Sequence, residues 1–483
     1  MAPISTSTST SSSPCSRQGQ RSRGWALFAP NVLAEAAAAG LGVALDPGGS
    51  RVLQALLPQA PLGMLGRVLP PLVVGGVPQL PPGGAQLKAK GVELTVKAAE
   101  AVAEGAELPP SFPLLLGQLA EVFEEHLASL LSPASASLCL QVALEVLHHS
   151  QSPACSRLCD ALIGQLAPPI PTPTESTLVW GLQDPERSRL LEAAMAVVGP
   201  QCLRELFHQQ LKGHLRGVAA HRVANHGLQR LLDHAPADVV GEVLSELGPA
   251  LAEPLACGHP GVLTALLGAC CRHPSLQQEA LRCLFQAFGC WDPRERRQAC
   301  VGLLARLCPF GGGDKDMEGA EPEPSLGPIT LHGSLLLQHL LHFRDPGPVL
   351  AGLEALPHPA LAALARSPPG SRVWDALLAS PTVPTRARRR LLRKLKGHFL
   401  SLACHRNGSR VLDAIWASAS APARAAIANE LVSQHQALQR DPHGRGVART
   451  LALDLFCRRH RLWEQLQAAP DRRRGLLEPL LED

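Results

Sequence analysis

Seven short strings in this 483-residue chain place a small polar residue four positions ahead of a second polar side chain, with mainly apolar residues between them. They are Ser50 with Gln54, Ser137 with Gln141, Ser188 with Glu192, Asn225 with Gln229, Ser334 with Gln338, Ser371 with Asp375, and Ser409 with Asp413. Pro260 with Thr264 and Arg445 with Arg449 are degenerate copies. On a helix, residues i and i+4 lie one above the other on the same face. Each string therefore predicts two hydrogen-bonding groups projecting side by side. At i+1 stand Arg51, Leu138, Arg189, His226, Leu335, Arg372 and Arg410. A long or planar side chain there can lie against a nucleic-acid base while the polar pair reads the base's edge. A small polar residue after a turn is also the ordinary helix cap. Capping leaves the second polar residue unexplained in seven of the nine copies.

The elements that position these pairs follow from their spacing. Neighbouring anchors are 37 (188 to 225), 35 (225 to 260), 37 (334 to 371), 38 (371 to 409) and 36 (409 to 445) residues apart. The intervals of 87 (50 to 137), 51 (137 to 188) and 74 (260 to 334) each require an insertion or a decayed unit. One phrase occurs twice, as KGHLRGVAAHRVANHGLQRLL from Lys212 and KGHFLSLACHRNGSRVLDAIW from Lys396, with seven identities in 21 positions. A fixed period of this length marks stacked repeats. Leucines at spacings of three and four predict helices. Strand signals are sparse, because Tyr is missing and aromatics are 3% of residues. An all-α solenoid follows.

Composition sets outer limits. Apolar residues make up 46% of the chain, enough for an extended core, and the net charge of +4 is too mild to identify a partner. The charge is uneven: Arg386, Arg388, Arg389, Arg390, Arg393, Lys394 and Lys396 crowd into one short segment, and Arg472 to Arg474 form a second cluster. Fourteen Cys lack paired spacing, which points to a reducing compartment and away from a zinc site. Apolar stretches such as Leu62 to Leu80 are broken by Gly, Pro and Arg67, so none reads as a membrane span. No nucleophile, base and oxyanion-donor set appears at a recognisable spacing, so no enzyme activity or cofactor is expected.

Residues 1–24 are Ser/Thr-rich and expected to be disordered, residues 25–470 hold the repeat array, and residues 471–483 form a tail. Low-complexity insertions interrupt the array near 75–110, 168–177 and 311–328. The last is acidic and accounts for much of the 74-residue interval.

Five segments carry a family resemblance: SRLLEAAMAV from Ser188, AAHRVANHGLQRLLD from Ala219, GHPGVLTALLGAC from Gly258, LHGSLLLQHLLHF from Leu331 and LACHRNGSRVLDAIW from Leu402. With them the chain resembles the nucleolar protein nine family, Pumilio-like RNA-binding repeat proteins of ribosome biogenesis. The resemblance implies a curved solenoid of three-helix repeats whose second helices line a concave surface. It also implies a nucleolar monomer that binds precursor small-subunit ribosomal RNA alongside pre-ribosomal proteins and assists early processing, without catalysis. Carried over, Pumilio base preferences make Asn225/His226/Gln229 similar to a uracil reader, Ser188/Arg189/Glu192 to a guanine reader and Ser50/Arg51/Gln54 to an adenine reader. Ser371/Arg372/Asp375 and Ser409/Arg410/Asp413 end in a shorter Asp, and Pro260 and Arg445 leave no reading pair. The family carries about eleven repeats, whereas nine are found here, the shortfall lying between Val73 and Pro110. The rival architecture is an armadillo or HEAT scaffold that binds protein; its repeats are longer than the step found here and usually lack alternating polar pairs.

Overall fold

The computed structural model describes residues 117, 120–131, 134–168, 176–310 and 326–467. Ser50, Arg51, Gln54, the 75–110 stretch, residues 311–325 and both tails lie outside the described residues. Every regular element among the described residues is helical. The chain divides into two units, 1–214 and 215–483.

In the first unit, α1 (Ala134–His149) and α2 (Ala154–Leu166) precede α3 (Thr177–Gln183), α4 (Arg187–Val197) and α5 (Pro200–Leu206), which runs into a π turn at Phe207–Leu211. Helix α4 packs on α1 and is flanked by α2 and α3. Leu190, Leu191, Ala194 and Met195 supply its buried stripe.

The described residues of the second unit form six helix triplets. These are α6 (Leu215–Ala220), α7 (Ala224–His234) and α8 (Ala237–Leu247); α9 (Ala252–Ala256), α10 (Pro260–Arg272) and α11 (Gln277–Ala287); and α12 (Cys300–Arg306), α13 (Leu331–Leu341) and α14 (Gly347–Ala355). They continue as α15 (His358–Arg366), α16 (Pro368–Ala379) and α17 (Thr385–Lys394); α18 (Phe399–Ala403), α19 (Arg406–Ser418) and α20 (Ala421–Ser433); and α21 (His435–Arg440), α22 (Pro442–Thr450) and α23 (Leu453–Arg458). The middle helices form one layer in which α7, α10, α13, α16, α19 and α22 each pack on the next. Helix α10 lies directly against α13, so the long interval between their anchors places no further middle helix between them.

The starts of α4, α7, α13, α16, α19 and α22 are fixed by a device that the sequence repeats, which α10 lacks. Four residues before the anchor stands a capping side chain. Asp184 accepts from the Glu186 and Arg187 amides, and His221 Nδ1 from those of Val223 and Ala224. Thr330 accepts from Gly333, Ser367 from Gly370, His405 from Asn407 and Gly408, and Asp441 from His443 and Gly444. The anchor amide then donates to the capping residue's carbonyl, from Ser188 to Asp184 at 2.9 Å and from Ser409 to His405 at 2.8 Å. The capping reading is thereby corrected: the anchors are not the caps, but belong to the first turn that the caps stabilise.

One residue before the anchor, Gly333, Gly370, Gly408 and Gly444 pass over the carbonyls that end the preceding helix. A Cβ there would stand closer than 3.0 Å to backbone oxygens of Leu304 and Ala305, Leu364, Leu402 or Leu438. Only glycine permits this approach without displacing the backbone.

The twice-written phrase serves the next corner. Gly213 and Gly397 adopt φ of 87° and 89°, the left-handed region open to glycine. Glu246 accepts from the Leu215 amide at 2.9 Å, and Glu430 accepts from Gly397 and Phe399 at 2.7 and 2.8 Å. Each carboxylate on a third helix thus satisfies orphan donors at the start of the first helix in its own triplet. In the first unit Gln210 does the same for Leu178 at 2.9 Å. Gln210 stands one position further from its anchor Ser188 than Glu246 stands from Asn225 or Glu430 from Ser409, and the π turn that carries it absorbs the extra residue.

Gly408→Ala is expected to destabilise the fold by about 1–3 kcal/mol, because its Cβ would meet the Leu402 oxygen at 2.6 Å. Gly446 has nothing within 4 Å of its Cβ position. Gly446→Ala should therefore stabilise by about 0.5–1 kcal/mol through helix propensity. Denaturant midpoints measured on both variants check the opposite signs.

Candidate nucleic-acid interface

All eight anchors within the described residues fall on helices: Ser137 on α1, Ser188 on α4, and Asn225, Pro260, Ser334, Ser371, Ser409 and Arg445 on the six middle helices of the second unit. In the three glutamine pairs the two groups do lie side by side, in hydrogen-bond contact, but only the second is presented. Ser137, Ser188, Asn225, Ser334 and Ser409 are buried, and Ser371 is half-buried. Their place in the first turn faces them toward the adjoining helices, where only small polar groups with internal partners fit.

Those partners are specific. Asn225 Nδ2 donates to the His221 carbonyl at 2.9 Å while its Oδ1 accepts from Gln229 at 2.8 Å. Ser334 donates to the carbonyl of Pro369 at 2.6 Å, tying α13 to α16, and accepts from Gln338 at 2.9 Å. Ser137 accepts from Gln141 at 3.2 Å. Ser371 and Ser409 donate to Pro368 and Arg406 one turn back, at 2.8 and 3.1 Å. In the three glutamine pairs the first residue thus orients the second, and the bond leaves the glutamine carbonyl and one N–H for an incoming group.

The presented surface consists of the second member and the i+1 residue. Gln141, Glu192, Gln229, Gln338 and Asp375 are partly exposed and Asp413 is exposed. Beside them Arg189, His226, Arg372 and Arg410 are exposed, while Leu138 and Leu335 are half-buried. Arg372 pairs with Asp375 at 3.8 Å, so this pair screens its own charge. Partial desolvation pushes the Asp413 carboxyl above the usual carboxylate range.

Helix α10 interrupts the row. Its i+1 position is Gly261, and a Cβ there would lie 2.6 Å from Gln229 Oε1. The glutamine of the preceding repeat therefore occupies the space where a stacking side chain would stand. Thr264 is buried and donates to the Gly261 carbonyl at 2.8 Å. At the far end of the layer, Arg445 and Arg449 are both exposed on one face of α22.

A Cys–His contact also lies on this layer. Cys271 Sγ is 3.7 Å from His339 Nδ1 and donates to the His339 carbonyl at 3.4 Å. Burial pushes the thiol up to about 11 and His339 below the usual imidazole range. The thiol therefore stays protonated near neutrality, unlike an activated nucleophile. No group of three or more metal-ligating side chains occurs among the described residues.

The basic segment 386–396 divides by role. Arg388 donates to the carbonyls of Leu377, at 3.2 Å, and Ser380; Arg390 pairs with Glu354 at 2.7 Å; and Lys394 donates to the carbonyls of Leu356, at 2.7 Å, and Glu354. These three fasten α17 to its neighbours. Arg424 repeats the Arg388 device in the next triplet, donating to Trp416 at 2.9 Å and to Ala417 at 3.3 Å.

Triplets of helices, with a layer of middle helices bearing a polar row at a near-constant step, have the architecture of a Pumilio-type helical repeat protein. The model of the NOP9-like PUF repeat domain matches residues 84–446, and that of the Pumilio-family RNA binding repeat matches residues 41–61. The chain belongs to the NOP9-like PUF repeat family, and the mammalian relatives it matches are nucleolar by name. It is 45% identical over 389 residues to nucleolar protein 9 of Homo sapiens and 43% identical over 389 residues to that of Mus musculus, covering 78% of this chain and 61% of each relative. It thus spans less than two thirds of those proteins. Pumilio homolog 23 of Arabidopsis thaliana is 26% identical over 303 residues, 62% of this chain and 40% of that protein. In fold, the chain matches the solved structure of APUM23-GGAUUUGACGG with a TM-score of 0.66 at 21% identity, covering 92% of this chain and 88% of that one.

Because its carboxyl is harder to ionise in the fold, Asp413 makes the native state bind a proton more tightly than the unfolded chain does. Stability falls as pH rises through the unfolded carboxylate value toward the raised folded one. Asp413→Asn should therefore match the parent below that window and gain stability relative to it as pH increases, reaching a plateau above. Melting temperatures across an acid-to-neutral series check this, and a difference independent of pH would contradict it.

Proposed function

We propose that this protein binds precursor small-subunit ribosomal RNA in the nucleolus and assists early pre-ribosome processing alongside pre-ribosomal proteins, without itself catalysing a reaction. The observation that carries the reading is the layer of six packed middle helices, in which α7, α13, α16 and α19 turn a polar anchor inward and present a second polar group at i+4. A linear ligand with a repeating backbone suits a surface that repeats at a constant step.

In this reading, Gln229 with His226 on α7 and Gln338 on α13 contact base edges, with Asn225 and Ser334 holding the glutamines. Gln141 and Glu192 do the same on α1 and α4, and Ser50, Arg51 and Gln54 would add a further repeat. Asp375 and Asp413 present acceptors only when ionised. Ser371 and Ser409 close the first turn of their helices, and Arg372 and Arg410 beside them supply a planar cation that can stack on a base. Helix α10 offers no edge reader, so its nucleotide is held by backbone or neighbour contacts. Arg445 and Arg449 suit phosphate.

Two measurements test this. Crosslinking in cells should enrich small-subunit precursor RNA, and its absence from the recovered RNA would remove the ligand assignment. In vitro, Asn225→Ser combined with Gln229→Glu replaces an amide with a carboxylate that accepts from guanine's N1 and N2 donors. Preference at one nucleotide should move from uracil to guanine by about 1–3 kcal/mol. A folded double variant selecting the same sequences from a random pool would show that α7 does not read a base.

A further inference from the structure

The face of α17 that points away from the core is built entirely of cations that the fold does not use. Ala387, Leu391 and Leu395 are buried at intervals of four, forming the stripe that seats the helix. At 100° per residue, Arg389 and Arg393 lie two positions either side of Leu391 and Arg386 five before it, which places all three within about 40° of the opposite side. Arg386, Arg389 and Arg393 are exposed, as is Lys396 in the turn that follows. The internal work belongs to Arg388, Arg390 and Lys394 on the flanks.

Several other arginines stand beside acids within one turn or across a short gap. Arg230 meets Asp233 at 3.4 Å, Arg282 meets Glu279, Arg372 meets Asp375 at 3.8 Å and Arg216 meets Glu253. Helix α17 contains no acidic residue; Glu354 beside it is taken by Arg390, and Glu430 beyond its end by the amides of Gly397 and Phe399. Like charges one turn apart destabilise a helix by a few tenths of a kcal/mol per pair. A positive residue in the first turn also opposes the helix dipole. A face that retains this repulsion without internal contacts is complementary to a dense line of negative charge. It lies on a third helix, outside the layer of middle helices.

We propose that Arg386, Arg389, Arg393 and Lys396 form a second, sequence-independent binding face for RNA phosphates. It engages backbone that extends past the strand lying along the middle helices. The ladder spans about 15 Å along the helix axis. The proposal rests on the RNA-binding reading above and adds a separate ligand-contact surface to it.

The test uses the full chain with Arg386, Arg389, Arg393 and Lys396 all changed to Ala. Arg388, Arg390 and Lys394 are left alone because their loss would loosen α17. Affinity is titrated against salt for a long small-subunit precursor RNA fragment and for a single strand no longer than the middle-helix layer. For the long fragment, the log–log salt slope should flatten by up to about 3, as four phosphate contacts and their released counterions are lost. Affinity should fall alike for all long sequences, while the short strand is little affected. A companion variant with Arg386→Lys, Arg389→Lys and Arg393→Lys should retain the parental slope, because phosphate contact needs the charge more than the guanidinium plane. Should the alanine chain prove poorly folded, Arg389→Gln with Arg393→Gln gives half the effect on the same readout. An unchanged slope in a folded variant that still binds RNA overturns this proposal alone. Loss of import-receptor binding with RNA affinity intact overturns it as well. A parent chain that binds neither RNA overturns the broader reading with it.

Discussion

The close crossing of α13, α16, α19 and α22 over the end of the first helix in each triplet is the constraint on which the row depends. Carbonyls at the end of α12, α15, α18 and α21 leave room for a glycine hydrogen and no more. The capping group four residues before the anchor then sets where the helix begins. Together these fix both the height and the rotation of the middle helix. A slip of one residue would turn the helix by about 100° and move the anchor out of its internal hydrogen bonds. Aligned polar groups on successive helices therefore follow from backbone packing rather than from any ligand.

Burial of the anchors is the price of that alignment, and it explains the residue types found there. A hydroxyl or amide shut away from water loses about 1–3 kcal/mol if left without a partner. Ser and Asn are short enough to reach a carbonyl one turn back or on the adjoining helix, as Ser409 and Ser334 do. Asn225 uses both ends of its amide, one to close its own turn and the other to hold Gln229. Pro260 needs no donor partner and Arg445 extends to solvent, so those two repeats keep the helix but lose the oriented pair.

The period and the helical class were legible because they are written in residue identities: small polar anchors recur at a near-constant step, and apolar residues at spacings of three and four. The direction of the anchor was not legible. A serine in the first turn and a serine at the cap look alike in sequence, and only the geometry puts the cap at Asp184, His221, Thr330, Ser367, His405 or Asp441. The signal was available, since these six residues stand at a constant offset from the anchors, four of them followed three positions later by glycine. The repeated Lys-Gly-His phrase was visible, but its purpose was hidden because the carboxylates that complete it, Glu246 and Glu430, lie a whole triplet's length downstream. The basic run was likewise visible as charge. Which of its members are structural depends on the carbonyls of Leu377, Glu354 and Leu356, which no local pattern reveals.

The presented groups bear on how an RNA could be discriminated. Along the second unit the i+4 positions run Gln229, buried Thr264, Gln338, Asp375, Asp413 and Arg449. Two glutamines separated by an interruption cannot spell out a long sequence, and two carboxylates would repel phosphates unless bases cover them or nearby arginines offset them. Arg372 does this directly for Asp375. A ligand on this surface must therefore gain most of its affinity from backbone charge and from fitting its shape to the step of the helices, with base edges deciding only a few positions. Such a balance favours an RNA whose own fold exposes a short single strand and brings additional phosphates nearby. A long unstructured strand would meet more gaps and acids than readers.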